Sequence, residues 1–266
     1  MSLKFSAGNH SYRMSETPDE TRRLPVPSVT SLQKKGLPTP ALVYWSARSV
    51  AEFVADNPDQ VERLREMGRG PMVHALKEVP WHARDSAAVR GTAVHEIAEQ
   101  LVHGEPVDVP DALMPYVEGY VAWLDAFDVH AEWTERSVGN RRCWYAGRAD
   151  FRGTIGGRFC TADWKTAKNV YGDNGLQLAA YDNCEFYVDD DDPETEIRME
   201  PTGSLAVVHI TPYETRHHWV KDPAAAWKWF QHVAFVGRHA DAIKECLGPA
   251  EPLPDAVTAW ESLHER

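Results

Sequence analysis

The pattern of apolar and polar positions changes character near residue 130. Upstream, the spacing is helical: 46–66 and 71–78 fit a period of 3.6. The clearest helix spans 86–102, where Val94, Ile97, Ala98, Leu101 and Val102 form one stripe and a Gly-Glu-Pro run at 104–106 ends it. A further helix is predicted over 111–127, carrying Leu113, Val117, Tyr120, Val121 and Leu124. Residues 1–24 are polar and without sustained period, and read as a flexible lead-in. The stretch 25–31 reads as a turn feeding a short helix, with Ser28 or Thr30 as N-cap.

Downstream, the period shortens to two. Strands are predicted over 131–139, 143–155 and 158–166, with Gly139-Asn140 and Gly156-Gly157 as turns. A helix over 174–187, an acidic loop over 188–202 and strands over 204–211 and 215–220 follow. Asp222-Pro223 then opens a long helix to about residue 247, and 249–266 is a peripheral tail. These elements form one domain over 25–248, helical over 25–130 and sheet-based over 131–248.

The hairpin at Gly156-Gly157 sets the candidate chemistry. A two-residue turn there pairs residues whose numbers sum to 313, so Asp150 faces Asp163 and Arg148 faces Lys165. Strand alternation puts these four on one sheet face with Arg152, Thr154 and Thr161. Ala149, Phe151, Ile155, Cys160, Ala162 and Trp164 take the other face, and Phe159 is an apolar exception on the polar one. Two facing carboxylates repel unless a cation sits between them, and a hard divalent cation takes carboxylate oxygens. A lysine two positions beyond Asp163 points the same way, within reach of a metal-bound water. A cross-strand salt-bridge patch on a solvated face fits these residues equally well.

Charge bears on the partner. The net charge of −12 opposes nucleic-acid binding, but 136–168 holds eight basic residues against two acids, while 182–200 holds nine acids and one arginine. The segment around the paired aspartates is therefore locally basic, so the global charge does not veto a DNA substrate, and Arg141, Arg142, Arg148, Arg152, Arg158 and Lys168 are the residues that would contact its backbone. The four cysteines lack C-x-x-C spacing and read as packing residues in a reducing cytoplasm. No apolar run is long enough to span a membrane, no apolar leader opens the chain, and no Walker A motif occurs, so neither membrane nor nucleotide is expected.

In order, Gly91-Thr92-Ala93-Val94-His95, Gly147-Arg148-Ala149-Asp150, Asp163-Trp164-Lys165-Thr166 and Gln177-Leu178-Ala179-Ala180-Tyr181 resemble the motifs of the RecB-type branch of the PD-(D/E)XK nucleases. Each motif is weak alone; their order and spacing over 91–181 are specific. Pro27-Ser28-Val29-Thr30 is similar to the opening of phage-encoded relatives. The resemblance implies an α/β, restriction-endonuclease-like core: a mixed central sheet flanked by helices, with a helical N-terminal half. It implies that His95, Asp150, Asp163 and the backbone carbonyl of Trp164 ligate Mg²⁺ or Mn²⁺, with Glu135 a weaker ligand or supporting group. It further implies that Lys165 positions the attacking water, while Gln177 and Tyr181, one helical turn apart, contact DNA or orient the site. Relatives with an iron–sulfur cluster carry a cysteine before the nuclease core and three close together after it. Here none precedes Cys143 and Cys246 stands alone, so no cluster is expected.

The expected activity is metal-dependent hydrolysis of DNA with little sequence specificity, as an exonuclease of phage-type replication or recombination working in the cytoplasm, as a homo-oligomer or with a recombination partner. The rivals are a structure-selective endonuclease, an inactive DNA-binding accessory protein of the same fold, and a metal-dependent hydrolase of small molecules. His95, Glu99 and His103 lie at successive i+4 positions, but the sequence at 95–99 lacks the second histidine of H-E-x-x-H, which argues against a zinc protease.

Overall fold

A computed structural model of the chain describes residues 3–38, 40–190, 192 and 195–251. The helical first half consists of α1 (Val29–Gly36), α2 (Pro40–Asp56), α3 (Pro58–Glu66), α4 (Arg69–Val102) and α5 (Met114–Ala126). The second half holds β4 (His130–Asn140), β5 (Tyr145–Ile155), β6 (Arg158–Lys165), α6 (Gly172–Asp182), β7 (Phe186–Val188), β8 (Glu196–Arg198), β9 (Leu205–Ile210), β10 (Thr215–Trp219) and α7 (Pro223–Lys244). The strands form one seven-stranded mixed sheet in the order β10-β9-β6-β5-β4-β7-β8. The β6–β9 pair is parallel and every other pair antiparallel. The fold is α/β, as expected.

Helices cover both faces. Val94, Ile97 and Ala98 of α4 and Val117, Tyr120 and Trp123 of α5 pack on Phe151, Ile155, Trp164 and Val208. On the opposite face, α1, α6 and α7 bring Leu32, Ala180, Phe230 and Ala234 against Val138, Tyr145 and Ala149. Burial of this apolar area, at about 25 cal/mol per Å², holds the layers together. Ser28 caps α1 by accepting from Ser31 N–H at 3.1 Å, and Asp222 caps α7 by accepting from Ala225 N–H at 2.9 Å.

The structure corrects several boundaries. Residues 3–26 are not a featureless lead-in: β1 (Leu3–Ser6), β2 (Ser11–Met14) and β3 (Leu24–Val26) form a three-stranded antiparallel sheet. Its Leu3, Tyr12, Met14 and Val26 are buried against Ala146, Phe186 and Val188. Each strand is three or four residues long, too short for alternation to stand out. Helix α4 starts at Arg69 and continues through Pro80, with α2 and α3 alongside. Gly139-Asn140 belongs to β4; the reversal comes at 141–144, where Asn140 Oδ1 accepts from Cys143 N–H at 2.7 Å and Trp144 has φ +49°. Helix α6 stops at Asp182, and part of the expected helix becomes β7, which pairs with β4. Cys160 and Cys184 are buried packing residues, but Cys246 is exposed. Most of the expected tail lies outside the described residues, as does part of the acidic run at 189–192. Among the described residues no helix is long and apolar enough to cross a membrane.

Candidate metal centre

Gly156 and Gly157 both have positive φ, +59° and +73°, as a type I′ hairpin requires. The register is the one read from the sequence: Ile155 faces Arg158, and the pairing runs with the same sum to Phe151 opposite Ala162. There the ladder ends, before the Asp150–Asp163 and Arg148–Lys165 pairs. Beyond it, β6 continues along parallel β9, where Lys165 faces His209, while β5 continues along β4. The sheet forks, and the fork holds the candidate site. Asp150 Oδ2 accepts the Trp164 N–H at 2.8 Å, so a side-chain carboxylate satisfies a donor that the ladder no longer serves.

A second irregularity lies across from Asp150. Glu135, in the middle of β4, has φ +49°, a left-handed conformation that costs a non-glycine residue roughly 1–3 kcal/mol. The register is the same immediately on both sides of it, Thr134 facing Phe151 and Arg136 facing Ala149, with a bulge further along between Ala131 and Trp133. The strands nevertheless turn over here, so Ala149 packs toward α6 and α7 whereas Phe151 packs toward α4 and α5. Strict alternation therefore fails, and the expected polar face is divided, with Arg152 on a different side from Arg148. Arg152 reaches Glu132 and the carbonyl of Glu200, beside α7, whereas Arg148 reaches Glu135 at 2.7 Å.

The turnover aims Glu135 and Asp150 at α4. His95, Glu135 and Asp150 each offer a ligand atom, all within 4.8 Å of one another. His95 Nδ1 lies 3.6 Å from Asp150 and 3.9 Å from Glu135. Glu135, the weaker expectation from sequence, is a full member of this group. Asp163 is engaged on the other side of β6: one oxygen accepts from Gln177 Nε2 at 3.2 Å and the other contacts Lys165 Nζ. Gln177 also donates to the Tyr181 hydroxyl at 3.0 Å, so the two residues share a face, as their spacing predicts. A Cβ on Gly147 would sit 2.4 Å from the Tyr181 ring, so only glycine fits at that position of the motif. Trp164 places its ring in the core beside His95, and its N–H contacts Asp150.

Burial raises Asp150 to about 7, helped by the nearby charge of Asp163 and opposed by His95. Burial works against the His95 imidazolium, yet Asp150 and Glu135 outweigh it and raise His95 to about 9. Lys165 is likewise raised despite burial, by Asp163 and Asp150. The centre opens into a cleft of about 680 Å³ between α4 and the N-terminal sheet. Gly91, one helical turn before His95, lies on its wall, near Thr166 at the end of β6.

Half of the expected basic surface is spent inside the protein. Arg141 is bound by Glu196, Arg148 by Glu135 and Asp190, and Arg152 by Glu132. Arg142, Arg158 and Lys168 are exposed, and Arg158 lies over the Trp219 ring beside the hairpin turn. Two of these carboxylates, Asp190 and Glu196, come from the acidic segment, which runs along the sheet edge next to β4 through β7 and β8, and the other two belong to β4 itself. Glu99 and His103 meet through Thr134, with His103 Nε2 at 2.9 Å and Glu99 at 3.1 Å from its hydroxyl. They brace α4 against β4 and are not part of the three-residue metal group, although Glu99 lines the same cleft.

No family model matches the chain, and no curated protein matches it. Solved structures similar to it include the crystal structure of SSO0001, aligned over 59% of this chain and 67% of that one, at 16% identity and a TM-score of 0.27. Superposition at that level bears on neither fold nor function.

Proposed function

We propose that this chain is a metal-dependent nuclease of the PD-(D/E)XK type, hydrolysing DNA phosphodiester bonds with Mg²⁺ or Mn²⁺. The observation that carries the reading is the convergence of His95, Glu135 and Asp150 at the fork, with Asp163 and Lys165 on the adjoining strand end. The donor set fits a divalent cation. Two carboxylates and an imidazole crowd together, and burial beside Asp163 holds Asp150 well above the carboxylate range, a cost that a bound cation would relieve. A cation bound there supplies Lewis acidity toward the phosphate and acidifies water.

The protein's own residues do the rest. Glu135 is fixed by Arg148, and Asp150 by the Trp164 N–H, so both carboxylates are oriented before any ligand arrives. Gln177, braced by Tyr181, holds Asp163, and Asp163 holds the Lys165 ammonium at the mouth of the fork. Lys165 is partly exposed to the cleft and cationic, suited to orient water or to stabilise charge on a phosphoryl group. An exonuclease of phage-type replication or recombination is the form we favour within this class.

End-labelled linear single- and double-stranded DNA and closed circles, with Mg²⁺, Mn²⁺ or EDTA, test the reading. Metal-dependent loss of linear DNA alone, abolished by Asp163→Ala, is expected. Cleaved circles would mean an endonuclease. DNA binding without cleavage by folded protein would mean an accessory role.

Acidity should also govern the metal. His95 and Asp150 both carry protons in the metal-free protein up to about pH 9 and 7 respectively. A cation must displace them, so Mn²⁺ affinity is expected to rise with pH and to level off above about 9. Metal-free stability should move the opposite way. The raised histidine contributes stability that is present below its ordinary 6.5 and lost through about 9, and the raised carboxyl disfavours folding increasingly from 3.8 through about 7. Titration calorimetry in two buffers of different ionisation enthalpy would show proton release on binding. A pH-independent affinity would remove both groups from the ligand set.

A further inference from the structure

With Arg141, Arg148 and Arg152 bound within the protein, a DNA strand needs another hold near the metal group, and the wall of the cleft facing α4 carries one. Phe5 and Tyr12, from β1 and β2, and His10, from the connection between them, line the same cleft as His95, Glu135 and Asp150. Their rings form a cluster: Phe5 to Tyr12 is 4.9 Å between centroids at 30°, and Phe5 to His10 is 5.8 Å at 59°. Tyr12 is buried, Phe5 half-buried and His10 exposed, so the cluster is anchored at one end and open at the other. His10 is held in a left-handed conformation, φ +46°, beside the Phe5 ring. The Arg148 guanidinium lies 6.0 Å from the centre of the Phe5 ring and donates to Glu135, linking the cluster to the metal group through one side chain.

We propose that Phe5 and His10 form a stacking shelf for an unpaired nucleobase of a DNA strand whose backbone lies in the metal-centre cleft. This rests on the nuclease reading above. An aromatic ring accepts the face of any base, so the shelf adds affinity without sequence preference. A base paired within a duplex has its face covered by its neighbours and cannot use it. The shelf therefore selects single-stranded or frayed DNA. The N-terminal sheet thereby acquires a binding role, since it supplies the wall facing α4.

The test compares binding of two single strands of about a dozen nucleotides, oligothymidylate and an abasic strand of equal length and charge. Fluorescence anisotropy would be read with Ca²⁺ in full-length Asp163→Asn protein, with and without Phe5→Leu or His10→Asn. Leucine keeps the apolar packing of Phe5, and asparagine tolerates the left-handed backbone at His10. With the native shelf, the base-bearing strand is expected to bind roughly tenfold more tightly; either substitution should bring the two within about twofold. Equal binding of the two strands by the native shelf, or an undiminished preference in both variants, overturns the shelf. Cleavage by the native protein, run in parallel, separates the two failures: if DNA is cut while the variants discriminate as before, only the shelf falls. If no DNA is cut or bound, the nuclease reading falls and takes the shelf with it.

Discussion

Replacing Asp150 by asparagine is expected to reduce metal-dependent cleavage by about a thousandfold or more while making the metal-free protein more stable. The loss follows from removing a charged member of the group that His95 and Glu135 complete. The gain follows from the cost of ionising a buried carboxyl beside Asp163. Asp150 is only 8% exposed and is raised from 3.8 to about 7. For an acid raised on folding, the destabilisation is absent well below pH 3.8, grows as pH rises, and is complete above about 7. At 1.36 kcal/mol per pKa unit its upper bound is about 4 kcal/mol, with the attraction to His95 already counted, and the cost of burying the asparagine amide offsets part of it. A net gain of about 1–2 kcal/mol at pH 8 is the expected result. Asparagine retains an acceptor for the Trp164 N–H, so the fork should keep its shape. Urea unfolding in EDTA and cleavage assays on the same preparation check both halves. Retention of more than about a tenth of the activity would remove Asp150 from the ligand set. A stability loss in place of the gain would show that the charge is better compensated than its surroundings suggest.

The second large effect lies away from the cleft. Asp182 ends α6 at 1% exposure, with no cation paired to it among the described residues, and gathers donors from two other segments. Thr161 Oγ1 donates at 2.7 Å, Thr202 N–H at 2.9 Å and Gly203 N–H at 3.2 Å, while the Thr202 hydroxyl divides itself between Asp182 and the carbonyl of Ser204. This one carboxylate joins α6 to β6 and to the loop that leads into β9. Alanine would leave three donors without their acceptor, beside a new void. We expect Asp182→Ala to cost about 3–5 kcal/mol of unfolding free energy, and Asp182→Asn to recover only part of it, because its amide turns donors toward donors. Chemical denaturation gives the number directly. A cost below about 1 kcal/mol would mean that water replaces the carboxylate, and that the loop is not held by it.

Asp182 also shows where local reading stops. Counted along the sequence it is only the first acid of the 182–200 stretch, within the helix expected over 174–187. Only the packing of α6 against β6 reveals a buried charge with dedicated donors. The arginines fail for the same reason. Charge counted along the chain separates a basic stretch from an acidic one. Once β7 and β8 lie beside β4, the two neutralise each other, with Arg141 held by Glu196 and Arg148 by Asp190.

Much that defines this protein is local and legible from sequence. The glycine pair at 156–157 sets a hairpin register that holds to its end, because turn geometry is decided within two residues. The longer helices of the first half and the strands β4 and β5 come from patterns that run over about ten residues or more. The α/β class follows from their order, and the shared face of Gln177 and Tyr181 from their spacing. What sequence could not supply depends on where chain segments meet. The parallel partner β9 draws β6 away from β5 and opens the fork. The left-handed turn at Glu135 rotates two strands and moves that carboxylate into contact with α4. Three short strands, too brief to show a period, become one wall of the cleft once they find a surface to pack on. In each case the deciding free energy comes from contacts between residues distant in sequence, which no local pattern encodes.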